Sequence, residues 1–109
     1  MTFSVPEFAA FARKHYHLRR VNVRRLAGYL RYSHPDEPVG SPAFLARAAL
    51  ADLSCPLLLI RVHKGLRIAD GCHRTYAALL ARRRYLLAYV VPVADLELCA
   101  PLLPAELFA

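Results

Sequence analysis

Acid is scarce in this sequence. Asp and Glu number 8 against 15 Lys and Arg, for a formal charge of +7 and a pI near 9.8. Between Phe8 and Pro35 there are seven Lys or Arg residues and no Asp or Glu at all. A balance this basic favours anionic partners such as nucleic acid, nucleotides or an acidic surface, and it says nothing about fold. Cysteine is also sparse and odd in number, with Cys55, Cys72 and Cys99 widely spaced. No CxxC and no Cys–His pair at metal-ligand spacing is present. That argues against a disulfide framework or a structural metal and for a reducing compartment. No apolar run approaches membrane-spanning length. The start, "MTFSVPEFAAFARKHYH", lacks the basic opening and apolar core of a signal peptide. These absences predict a soluble cytoplasmic protein without a membrane partner. Repeats, low-complexity segments and a second domain are absent too.

What is present is apolar. Hydrophobic residues make up 57% of 109 residues, which excludes a disordered segment and suits one small domain. "SVPE" reads as a capping box, with Ser4 as cap, Pro6 in the first turn and Glu7 completing S-x-x-E. It predicts a first helix over 5–17, with Phe8, Phe11 and Ala12 inward. Asn22 can cap a second helix whose Val23, Leu26, Ala27 and Leu30 form an amphipathic stripe. "SHPDEPVGSP" is a loop by composition, and its Asp36-Glu37 pair reads as solvated. Ser41-Pro42 starts a third helix over 42–53. "LLLIRV" reads as a buried strand, and residues 66–69 as its hairpin partner after "HKG". A fourth helix over 73–83 and a strand over 86–91 follow. The apolar, base-free C-terminal segment suits core packing or a homodimer contact.

The chemistry concentrates in "IADGCHRTYAALL", where a strand, a tight turn and a helix meet. The first N–H groups of a helix lack internal partners, and the macrodipole makes that end positive, so an anion is favoured there. Arg74, in the first turn, adds a guanidinium able to grip phosphate in a bidentate contact. Gly71 lets the backbone approach closely. Asp70 is either the cap of this helix or, beside a phosphate, a base or a Mg²⁺ contact. His73 is an anion donor or an ordinary first-turn residue. Cys72 is either a residue packed under the turn or a nucleophile, because a thiol at a helix N-terminus beside Arg can have a lowered pKa.

These residues resemble the ParB/sulfiredoxin superfamily. "GCHR", Gly71 to Arg74, is similar to the G-C-H-R of sulfiredoxin, the ATP-dependent repair enzyme for over-oxidised peroxiredoxin. "IADG" before it is similar instead to the D-G-x-H-R of ParB-like domains and of free-serine kinases on the same fold. The resemblance covers roughly residues 42–98, leaving 1–41 as a helical extension and 99–109 as an apolar tail. It implies a compact α/β (α+β) domain, a small mixed sheet with N-terminal helices packed on it, whose motif loop holds nucleotide phosphates. By that resemblance the catalytic thiol falls on Cys72 and the group lowering its pKa on Arg74, with the Gly71 and His73 backbone at the phosphates. The sulfiredoxin lysine on the preceding helix has no match, and Arg47 is the basic candidate there. Sulfiredoxin has aromatic-Gly-Gly before its cysteine, where this chain has Ala69-Asp70-Gly71.

Four functions remain in view. The first is a nucleotide- or phosphate-binding domain acting on a nucleotide or phosphorylated small molecule. It would extend to an ATP-dependent phosphotransferase, with ATP or another nucleotide and Mg²⁺ as cofactors and Asp70 and Cys72 as its catalytic candidates. The second is a sulfiredoxin-like thiol enzyme using Cys72. The third is a ParB-like nucleic-acid-binding module using Arg19, Arg20, Arg24, Arg25, Arg82, Arg83 and Arg84, which otherwise solvate helix faces. No recognition-helix motif accompanies these arginines. The fourth is a non-catalytic interaction protein.

Overall fold

The structure is a computed structural model that describes residues 5–30 and 37–95. Its elements run α1 (Val5–His15), β1 (Arg19–Asn22), α2 (Val23–Ala27), α3 (Pro42–Ala49), β2 (Leu57–Val62), β3 (Gly65–Asp70), α4 (Cys72–Leu80) and β4 (Tyr85–Pro92). The strands form one mixed sheet in the order β1-β4-β2-β3. β2 and β4 are parallel neighbours at its centre, while β1 and β3 are antiparallel edges. This is the mixed α/β fold with helices packed on a small sheet that the sequence leads one to expect.

The unbroken apolar run of β2 has a direct cause. Successive side chains of a strand point to opposite faces, and both faces here are covered. Leu57 and Leu59 join Val21, Val23, Leu26, Ala78, Leu86, Ala88 and Val90 in the larger cluster, which takes residues from α2 and α4. Leu58 and Ile60 join Phe8, Ala12 and Val91 on the other side, beneath α1. The result is a three-layer sandwich with a thin α1 layer and a thicker α2–α4 layer. The β2–β3 hairpin turns at Gly65, whose φ of +143° suits glycine, and an added Cβ there would run into the Tyr29 ring.

Three sequence expectations change. Residues 19–22 form an edge strand, not a link between helices, so the first segment is not purely a helical extension. Only Val21 of β1 is buried, so there is no alternation to read locally. Pairing with β4 decides the strand, as tertiary context often does. The third helix stops at Ala49 and the fourth at Leu80. Residues 51–55 instead form a turn in which both the backbone N–H and the hydroxyl of Ser54 donate to Asp52 Oδ1, at 2.9 and 2.6 Å. Finally, Glu37 is buried at 8% exposure, because its carboxylate is drawn between Arg47 and His73. Asp36, the proposed Ser4 cap and the segment 96–109 lie outside the described residues. Residues 85–92 of the apolar C-terminal stretch are an internal strand. No helix among the described residues is long and apolar enough to cross a membrane.

Candidate functional site

α4 begins where β3 ends, and Gly71 makes the corner. Its φ is +122°, and an added Cβ would collide with Leu57 of the central strand. Glycine is therefore required by backbone angle and by space together. Gly71 occupies the N-cap position of α4, and no side chain caps this helix. The expectation that Asp70 is the cap is not met. Its carboxylate turns to Arg74, one helical turn on, and accepts a hydrogen bond of 2.8 Å. Arg74 also donates to the Pro56 carbonyl oxygen at 2.7 Å. The guanidinium is thus fixed between the end of β3 and the entry to β2, with 15% of its side chain exposed.

Beside it opens a groove of about 460 Å³ lined by Arg47, Ala51, Asp52, Cys55, Asp70, His73 and Arg74. α3 supplies Arg47, the turn supplies Asp52 and Cys55, and the start of α4 supplies His73 and Arg74. The three basic residues singled out by sequence for phosphate contact share this one groove. Phe44 underlies it, with its ring 4.7 Å from that of His73 and edge-on to Tyr76. Glu37 braces His73 and Arg47. Its Oε1 lies 2.6 Å from His73 Nε2 and its Oε2 lies 3.3 Å from Arg47 Nε. Arg47 remains 70% exposed despite this contact.

Of the two readings of Cys72, the packed residue fits the structure and the thiol of lowered pKa does not. It packs against the larger core cluster and is not among the residues lining the groove. Burial, and secondarily the charge of Asp70, push its pKa above the ordinary 9.0. The first effect disfavours a thiolate in an apolar setting and the second repels it. The groove has its own thiol in Cys55, which is exposed and 3.6 Å from Asp52 Oδ2. The hydrogen bonds from Ser54 hold Asp52 below the usual carboxylate value of 3.8. Sequence reading missed Asp52 and Cys55 as groove residues and Glu37 as the partner of Arg47 and His73. "DLS" carries the signature of an Asp-headed turn, whereas nothing local in "DEP" marks Glu37 for burial.

The other arginines divide. Arg24, Arg82, Arg83 and Arg84 line a second cleft of about 750 Å³ together with Asn22, Leu79 and Tyr85. Arg19, Arg20 and Arg25 are exposed but do not line it. Among the described residues, no three His, Cys, Asp or Glu side chains gather as a metal site.

No protein-family model matches this sequence, and no curated protein matches it significantly.

Proposed function

We propose that the groove at the start of α4 binds a phosphate group, most simply that of a nucleotide, as the ParB/sulfiredoxin resemblance leads one to expect. One observation carries the reading. Arg47, His73 and Arg74, from two helices, converge on a groove at a helix N-terminus that no side chain caps. The orphan N–H groups and the dipole attract an anion, and the guanidinium groups supply the stronger charge-assisted contacts. In this account Arg74 is a preset donor, held by Asp70 and Pro56. Arg47 and His73 are donors that Glu37 occupies until a phosphate takes over their contacts.

Asp70 retains 42% side-chain exposure and lines the groove. It suits a Mg²⁺ that arrives with the phosphates, since this ion commonly takes one or two carboxylates and completes its shell with phosphate and water. Such an ion would neutralise phosphate charge beside Asp70 and Asp52. An ATP-dependent phosphotransferase would use these residues in this arrangement, with Asp70 placed as base or ion ligand. The thiol-enzyme reading finds less support, because Cys72 packs on the core and its pKa is raised.

A thermal-shift panel tests the proposal, with ATP, ADP, CTP, GTP and inorganic phosphate, each with and without Mg²⁺. Ligand at about 100 times its Kd stabilises by about 2.7 kcal/mol, a shift of several degrees for a domain this small. The expected result is a shift with at least one nucleotide that Arg47→Gln and Arg74→Lys reduce and Arg82→Gly leaves intact. No shift with any nucleotide, or a shift that only Arg82→Gly removes, overturns it.

A further inference from the structure

We propose that the arginine cleft at the far end of α4 binds single-stranded nucleic acid. The cleft is separate from the phosphate groove, and this inference does not rest on that reading. They open at opposite ends of the nine-residue α4, the groove taking His73 and Arg74 and the cleft Leu79.

The cleft is assembled from three places in the chain. Backbone pairing sets Asn22 opposite Tyr85, and Val23 N–H donates to the Arg84 carbonyl oxygen at 2.9 Å. This seats Arg24, in the first turn of α2, beside the run Arg82-Arg83-Arg84. Among the described residues, no carboxylate lines the cleft. Among the described residues, none of its four arginines forms an ion pair. In the phosphate groove, by contrast, carboxylates engage the arginines. Four like charges gathered in one concavity repel each other unless a polyanion neutralises them.

Arg82 adds a separate argument. α4 ends in a Schellman motif, with Arg83 N–H donating to Ala78 O at 2.9 Å and Arg82 N–H to Leu79 O at 3.1 Å. The residue after the cap in this motif is left-handed and usually glycine. Here it is Arg82 at φ +56°, the sole non-glycine with positive φ among the described residues. The backbone prefers glycine at this position, yet an arginine side chain stands there. It lines the cleft.

The remaining lining favours a single strand over a duplex. Tyr85 is 48% exposed and Leu79 37% exposed, which offers a ring and an apolar surface to an unstacked base. Many duplex readers present a helix to the major groove. Here α2 has only five residues, and the end of α4 lies back in the cleft wall.

The test is fluorescence anisotropy with labelled oligo-dT, oligo-U and a duplex of equal length, over a salt series. Four phosphate contacts on a single strand give a slope of log K against log salt near −2.8, from about −0.7 per contact. Arg82→Gly combined with Arg83→Gln should halve that slope. Arg82→Gly alone should not lower the melting temperature, because glycine relieves the left-handed strain, so a loss of binding in it is not a loss of fold. Tyr85→Ala should weaken binding fivefold or more with the slope unchanged. Arg47→Gln, outside the cleft, should leave the oligonucleotide affinity and its salt slope as in wild type. Preference for oligo-U or oligo-dT would identify the strand as RNA or DNA. No binding at low salt, equal affinity for duplex, or an unchanged slope in the double variant overturns the proposal. So does loss of binding in Arg47→Gln.

Discussion

Gly71 and Cys72 are neighbours with opposite duties. Gly71 is needed for what it lacks. At φ +122°, pressed against Leu57, it tolerates no Cβ without moving the core. Gly71→Ala should destabilise by about 2–4 kcal/mol, adding backbone strain to overpacking, as urea denaturation would show. Cys72 has its thiol turned to the core. With its pKa raised above 9.0, it carries less thiolate at neutral pH than an ordinary cysteine. Iodoacetamide at pH 7 should therefore label exposed Cys55 before Cys72. The sign for stability follows. The folded state prefers the neutral thiol, so this contribution is fully present below pH 9.0 and lost as pH rises through the higher folded value. A Cys72→Ser variant with unchanged alkaline sensitivity would contradict that. The motif's residue types were legible in the sequence, but the direction in which Cys72 faces was not. A thiol one residue past a turn can point to the groove or to the core, and packing against the larger core cluster decides.

Among elements, the segment that carries Glu37 matters most to the site. Just ahead of α3, it places one carboxylate between Arg47 and His73. An internal carboxylate at such a position competes with an external anion for the same donors. Glu37→Gln should strengthen phosphate binding at the groove, measured by calorimetry, while lowering stability by about 1 kcal/mol through the lost charge-assisted bonds. Weaker binding in this variant would mean that Glu37 positions the donors and does not compete for them. The helices and the three strands β2, β3 and β4 were readable because periodicity, caps and turns mark them, as Ser41 does by accepting from Phe44 N–H at 3.2 Å. β1 and buried Glu37 were not readable. Each is set by a partner far along the chain, β4 in one case and the α3–α4 pair in the other.

At the scale of the molecule, charge and topology combine. Because β4 lies between β1 and β2, the basic N-terminal segment folds back beside Arg82-Arg83-Arg84, and one surface gathers charge from both halves of the chain. Another contact ties the same two regions at a different place, where the Tyr16 hydroxyl donates to Asp95 Oδ2. Tyr16→Phe leaves that carboxylate without this donor and should lower the melting temperature by a few degrees, in keeping with a lost bond of about 1 kcal/mol. α4 then has arginines gathered near each end, engaged by carboxylates at its start and, among the described residues, by none at its end. A polyanion such as ATP has affinity for any cluster of arginines, so binding alone does not identify the site it occupies. Amide chemical shifts do. Titration of ¹⁵N-labelled protein with ATP and Mg²⁺ should move the Cys72, His73, Arg74 and Thr75 amides first and saturably, with those of Arg82 to Tyr85 following only at excess ligand. Shifts confined to Arg82–Tyr85, or none at the start of α4, would contradict the phosphate groove.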